Sequence, residues 1–285
     1  MRFRANIEHV NTFYKISQAV EKLQKRCIIK FSENEMHIIC KMRRARAASK
    51  CGRPSLFTDY RIQSNANNES ICRSPRRHAA ALRSAAAPSG QQAALAADAE
   101  VVMKCACEEG RGCGLTFEIA TTTRMGRYVR MRTTSDRVLK LQDVGRLKEP
   151  CALSLRCIYS PPLAKLRAVV ERMRPLAADV IGIRANLSGC LQLCAQTDNS
   201  RVDVSWNGLS NPRWDPDNSD ARDPTTLYGV LVSLRSLQKF LSSHVVSTTT
   251  IACICQNHCI ILYVYIGEMA EAGGILTFYI PAIIE

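Results

Sequence analysis

Long apolar runs are missing from this chain of 285 residues. The longest, Ile260–Ile266, has the length of a strand, whereas a membrane helix needs roughly 20 such residues; no membrane association is expected. The opening MRFRANIEHV holds no apolar core of the kind a secretory signal carries, so secretion is not expected. Aromatics are scarce at 6%, which argues against reading bases by stacking. Acid is scarce too: 25 Asp and Glu against 39 Lys and Arg leave a net charge of +14. That balance favours an anionic partner, and nucleic acid is the commonest.

Signatures of catalysis are also lacking. There is no G-x-S-x-G, and His9, His37, His78, His244 and His258 have no partners of the kind a triad needs. Gly110-Arg-Gly112-Cys-Gly114 is glycine-rich, but it precedes a strand pattern where a phosphate loop would precede a helix. No pair of acids stands out, so no enzyme and no cofactor are expected. The aspartates Asp215, Asp217, Asp220 and Asp223 lie in a proline-rich loop, Asn207–Pro224. Their spacing lacks the glycine and terminal glutamate of a calcium loop.

Cysteine, by contrast, is plentiful at 14. The residues are scattered through a chain too long to require stapling, and read as small core residues in a reducing compartment, not as a disulfide framework. The sharpest metal candidate is CICQNHC (Cys253–Cys259), where Cys253 and Cys255 share one strand face. A structural zinc draws ligand pairs from two knuckles. The other dense cluster, Cys105, Cys107 and Cys113, lies in the other half of the chain. No metal is expected.

The strongest positive signal is a repeat. Leu163, Leu166, Val170 and Met173 make the apolar stripe of a helix over Pro162–Arg174, with Lys165 and Arg172 on another face. Subtracting 150 gives Phe13, Ile16, Val20 and Leu23, with Lys15 and Lys22 in the matching places. Each helix leads into a strand pattern, Cys27–Phe31 or Asp179–Arg184. At an offset of 154, Ile29–Cys40 lies over Ile183–Cys194. Arg167, Arg174, Arg83, Arg235 and Lys239 add to the basic helix faces. Lysine and arginine without readers of base edges imply sequence-independent contact with phosphates.

In chain order, Arg2–Val10 alternates like a half-buried strand, and Asn11 or Thr12 is placed to cap the first helix, to about Lys25. Strands follow at Cys27–Phe31 and Met36–Cys40. Lys41–Arg53 is basic and alanine-rich and reads as a surface loop, with a nucleic-acid or nuclear-import patch as the functional alternative. Leu56–Ser64 is sheet-like. Ser70–Ala99 reads as a loop insertion containing a helix-prone stretch, His78–Ala87. Val101–Ala106, Leu115–Ala120 and Gly126–Arg132 are strands, and Val138–Pro150 links the halves. In the second half, strands are expected over 152–160, 179–185, 189–196, 201–206, 227–233, 248–255, 259–266 and 273–280, with a short helix over 234–243. The organisation is an N-terminal domain (1–137), a connector (138–150) and a C-terminal domain (151–285).

MRFRANI (Met1–Ile7), PPLAKLRAVVERM (Pro161–Met173), ANLSGCLQLCAQTD (Ala185–Asp198), WNGLSNP (Trp206–Pro212) and LTFYIPAI (Leu276–Ile283) together resemble the Hus-one family, a subunit of the nine-one-one checkpoint clamp. The likeness covers about residues 1–40, 55–68 and 100–285, and departs from the family at 41–54 and 70–99. It implies an α+β DNA-clamp fold: two similar domains, each with an antiparallel sheet outside and two helices inside. It further implies a nuclear, non-catalytic ring with Rad-nine-like and Rad-one-like subunits around double-stranded DNA. A Rad-seventeen-type loader would open the ring at a recessed junction, and repair enzymes and checkpoint factors would then be held there. The alternatives are a homotrimeric replication-type clamp, a generic scaffold with no DNA role, and a basic metal-assisted nucleic-acid enzyme.

Overall fold

The computed structural model describes residues 2–23, 27–32, 35–42, 45–52, 56–63, 69–73, 75–83, 85–86, 100–108, 112–123, 126–139, 155–176, 179–197, 200–212, 223–246, 249–266 and 274–283. The chain divides into two units. One comprises Met1–Lys41, Ala48–Glu149 and Ala270–Gly274; the other comprises Met42–Ala47, Pro150–Met269 and Ile275–Glu285.

The N-terminal part runs β1 (Arg2–Ile7), α1 (Val10–Leu23), β2 (Cys27–Phe31), β3 (Glu35–Met42), β4 (Ala45–Gly52), β5 (Phe57–Gln63), β6 (Glu69–Arg73), α2 (Pro75–Leu82), β7 (Glu100–Glu108), β8 (Gly112–Thr123) and β9 (Gly126–Leu139). Its strands follow the order β4-β3-β2-β6-β9-β8-β7-β1-β5, and every pairing with a resolved register is antiparallel. Alternation decides which side is buried. Phe3, Ala5 and Ile7 of β1 face inward while Arg4 stays exposed. Phe3 stacks 4.2 Å from Phe31 and 5.2 Å from Tyr60, and Phe13 of α1 meets Phe57 at 5.7 Å. These ring pairs tie α1 and three strands into one core.

The C-terminal part runs β10 (Leu155–Tyr159), α3 (Leu163–Met173), β11 (Val180–Ala185), β12 (Leu191–Gln196), β13 (Arg201–Trp206), β14 (Tyr228–Ser233), α4 (Leu234–Leu241), β15 (Thr249–Cys255), β16 (Cys259–Ile266) and β17 (Gly274–Pro281), with a 3-10 turn at Ser242–Val245. Two sheets result, β10-β15-β16-β17 and β13-β12-β11-β14. The neighbours repeat those of the first unit: β1–β7–β8 corresponds to β10–β15–β16, and β6–β2–β3 to β14–β11–β12. The β6–β9 ladder of the first unit has as its counterpart a single bridge, Val232 to Ala282.

Several expectations change. The stretch 41–54 is not a loop throughout: β3 reaches Met42 and β4 occupies Ala45–Gly52 beside it. Backbone pairing offered by a neighbouring strand overrides the weak strand propensity of alanine and lysine. Nor is 70–99 simply an insertion. β6 pairs with both β2 and β9, and α2 buries His78, Ala79, Ala81 and Leu82; residues 87–99 lie outside the described set. The first helix begins at Val10, where the His9 carbonyl accepts the Phe13 N–H, so Asn11 and Thr12 sit inside its first turn. Pro162 is the N-cap of α3, one position before the helix proper. β9 continues to Leu139, and 140–150 lie outside the described residues.

The offset of 154 also holds for only one strand of the repeated hairpin. Ile29 pairs with Ile38, but Ile183 pairs with Leu193, not with Gln192. Four residues separate the pair Phe31–Met36, and five separate Ala185–Leu191. Thus Met36, Ile38 and Cys40 correspond to Leu191, Leu193 and Ala195, and all six are buried. A slip of one residue would have turned each onto the opposite face. The longer turn is organised by Asn186, whose Oδ1 accepts the N–H groups of Ser188 (3.1 Å) and Cys190 (2.9 Å). Gly189 completes it at φ +81°, where a Cβ would clash with the Leu209 carbonyl oxygen. Gly189→Ala should therefore cost about 1–3 kcal/mol, read as a lowered midpoint in thermal unfolding; an unchanged midpoint would mean that the turn relaxes freely.

Beside β10, where the first unit carries β5 next to β1, the second unit uses the segment 207–212. Tyr159 N–H bonds the Ser210 carbonyl at 2.9 Å. The Asn211 amide bonds the carbonyls of Cys157 (2.9 Å) and Asn186 (3.2 Å). One side chain here does the work of a strand.

Candidate nucleic-acid interface

Helix periodicity fixes which side chains are free to meet a ligand. In α1 the buried face is Phe13, Ile16, Ser17, Ala19, Val20 and Leu23; in α3 it is Leu163, Leu166, Val170 and Met173. Lys15 and Lys22 consequently point to solvent, and so do Lys165 and Arg172, at the same places on the equivalent helix. Within each unit a second helix packs alongside, α2 against α1 and α4 against α3. Arg83, just after α2, is exposed, as are Arg174 in the turn after α3 and Arg235 and Lys239 on α4.

Two of the nine expected cations are engaged. Arg167 is half-buried and holds Glu171 at 2.7 Å, one helical turn away, so its charge offsets a carboxylate on its own helix. The spacing of four residues made that pair readable from sequence. Arg235 lies 3.4 Å from Asp179, but both side chains are largely exposed, and such a pair contributes little. No local signal joins those two residues. The other seven have no carboxylate partner among the described residues.

Helix electrostatics separates ordinary cations from unusual ones. Lys22, Arg172 and Lys239 stand in last turns, where a cation complements the helix dipole by about 0.3–1 kcal/mol. Lys165 stands in a first turn, where the dipole disfavours it. None of α1–α4 carries an acid in its first turn. Helices selected for their own stability would place acids there. At α3, Lys165 in a first turn without an acid provides instead a field suited to an anion such as phosphate. Among the described residues no three His, Cys, Asp or Glu side chains gather closely enough to hold a metal ion. Asp215, Asp217 and Asp220 lie outside those residues, and Asp223 is bound to the Thr225 hydroxyl and N–H, which hold its carboxyl below the usual range.

Comparisons with known proteins agree with this topology. The chain is 29% identical to "Checkpoint protein hus1" of Schizosaccharomyces pombe over 298 aligned residues, covering 100% of both chains. It is 28% identical to "Checkpoint protein HUS1" of Homo sapiens over 127 residues, 44% of each chain. Among solved structures, proliferating cellular nuclear antigen from Entamoeba histolytica matches 99% of both chains with a TM-score of 0.73 at 11% identity, which shows the DNA-clamp fold. The sequence profile of the Hus1-like protein family matches residues 1–284, and the chain belongs to that family.

Proposed function

We propose that this protein is a non-catalytic subunit of a heterotrimeric checkpoint clamp, which encircles double-stranded DNA in the nucleus and holds checkpoint and repair factors at the lesion. Rad-nine-like and Rad-one-like subunits complete the ring, and a Rad-seventeen-type loader opens it at a recessed junction. The DNA-facing set is Lys15, Lys22, Lys165, Arg172, Arg174, Arg83 and Lys239, with Arg235 and Arg167 contributing less because of their ion pairs.

The observation that carries this reading is the duplication of exposed cations at matching places on α1 and α3, on helices that lack first-turn acids. The fold shared with a solved clamp and the membership of the Hus1-like family support it. The edge of the four-stranded sheet supports a ring as well. β13 ends the order β13-β12-β11-β14, so among the described residues no strand pairs with its outer side, and a neighbour's strand would fit there. The family match favours a checkpoint clamp over a homotrimeric replication clamp.

Binding through phosphates is salt-sensitive. With about 6 phosphates neutralised, the logarithm of affinity for nicked duplex should fall against the logarithm of salt with a slope near −5. Titrations of the assembled complex at several ionic strengths measure it. A slope near zero would overturn the DNA-facing assignment.

A further inference from the structure

Three strands of the C-terminal unit bring four cysteines onto one face. Cys157 of β10 stands directly opposite Cys253 of β15, with Cα atoms 4.1 Å apart, and their sulfurs are joined as a disulfide across a sequence separation of 96. This corrects the expectation that all the cysteines are separate core thiols. Two residues along β15, Cys255 stands opposite Cys259 of β16, and both remain thiols. With Ile251 and Ile261 the four form a buried cluster, flanked by Tyr159, Tyr263, Tyr265 and Tyr279. The CICQNHC motif thus supplies one partner of the first cross-strand pair and both partners of the second.

The pairs differ in access and in chemistry. β10 is the edge strand of its sheet, and Cys157 is the most exposed of the four at 9%, against 0–2% for the others. On its outer side β10 is held by the Tyr159–Ser210 backbone bond and the Asn211 amide. An edge strand, paired to a strand on one side alone among the described residues, opens at less cost than the whole unit. Cys255 and Cys259 lie one strand further in. The hydrogen bond between them pushes the Cys255 thiol up and holds Cys259 down, and the Tyr279 hydroxyl also favours the Cys259 thiolate.

We propose that Cys157 and Cys253 form a reversible oxidation site for hydroperoxides, a staple that fastens β10 to β15. In the forward direction the Cys157 thiolate attacks the peroxide, the O–O bond breaks, and a sulfenic acid and one water form. The Cys253 thiol then attacks that sulfur, a second water leaves, and the S–S bond closes. Two thiols and one hydrogen peroxide give one disulfide and two waters. In reverse, two equivalents of a monothiol such as glutathione become its disulfide, and both cysteines regain their protons. Closing so long a loop restricts the unfolded chain, and should raise the unfolding midpoint of the C-terminal unit by about 5–10 °C.

The test uses the full-length chain, reduced with dithiothreitol, exposed to hydrogen peroxide, alkylated while folded and then unfolded, and mapped by mass spectrometry without reductant. The expected result is a linked peptide pair holding Cys157 and Cys253, abolished by renewed reduction of the folded chain and absent from Cys157→Ser. The link should persist in Cys255→Ser, and the higher midpoint should accompany it in the unsubstituted chain. Cys157 or Cys253 recovered unlinked after peroxide, or joined to Cys255 or Cys259, would overturn the proposal. So would a link that survives dithiothreitol in the folded chain, since that would make it a permanent staple.

Discussion

Replacing Lys15, Lys22, Lys165 and Arg172 together by glutamate lowers the affinity of the assembled complex for nicked duplex by about 10³-fold or more at 0.1 M salt. The figure follows from counterion release. Each phosphate contact contributes about 0.9 to the slope of log affinity against log salt, so four contacts are worth roughly 3.6 logarithmic units between 0.1 M and 1 M salt. The slope itself should flatten by about 4. The fold should survive, because all four side chains are exposed and none joins the apolar stripes of α1 and α3, although Lys22→Glu and Arg172→Glu each lose about 0.3–1 kcal/mol of dipole complement in a last turn. Lys165→Glu even places an acid in a first turn, where the helix dipole favours it. Titration over a salt series, with sizing of the complex beside it, separates the possibilities. A quadruple variant that fails to assemble yet binds DNA normally would show that these faces serve subunit contacts.

Phe240→Ala acts on the fold, with an expected loss of about 3–5 kcal/mol. Phe240 is fully buried on α4 and meets Phe278 of β17 edge-on, with ring centroids 4.9 Å apart. Truncation leaves a cavity between helix and sheet that neither can collapse into without losing other contacts, among them those of Leu237 and Leu241 on the same face. Domains are stable by only about 5–15 kcal/mol, so this one change removes about a fifth of the margin at the least and most of it at the lower end. The urea midpoint should drop sharply, while Lys239→Ala, one residue away and exposed, should cost no more than about 1 kcal/mol, the dipole complement of a last-turn cation. A loss under about 1 kcal/mol for Phe240→Ala would mean that the α4–β17 contact is not part of the core.

The helix faces were legible in the sequence because their signal is local. Phe13, Ile16, Val20 and Leu23, and their partners 150 positions on, announce burial by spacing alone, and all eight are buried. Features decided by distant partners were not legible. Ala45–Gly52 has little strand propensity and becomes β4 beside β3; Glu69–Arg73 becomes β6 between β2 and β9. The extra residue in the turn after β11 escaped notice because Cys190 and Cys194 of the second repeat can be laid over Met36 and Cys40 of the first. Only the pairing of Ile183 with Leu193 shows that Leu191 and Ala195 are the matching core positions. The Cys157–Cys253 pair lies 96 residues apart and depends on two strands becoming neighbours. Of the basic set, sequence placed every member on or beside a helix, but it took as free both Arg167, which pairs with Glu171, and Arg235, which lies within reach of Asp179.

A ring that encircles DNA and grips only its phosphates is retained by the topology of the DNA and not by its sequence. The chain, co-expressed with its two clamp-type partners, is loaded onto nicked circular DNA, the unbound protein is removed, and the DNA is then either cut once or left circular. Encirclement predicts that the complex remains on circles and runs off cut molecules whose ends are free, with release prevented when both ends are blocked. Equal release from circles and from cut DNA would contradict it.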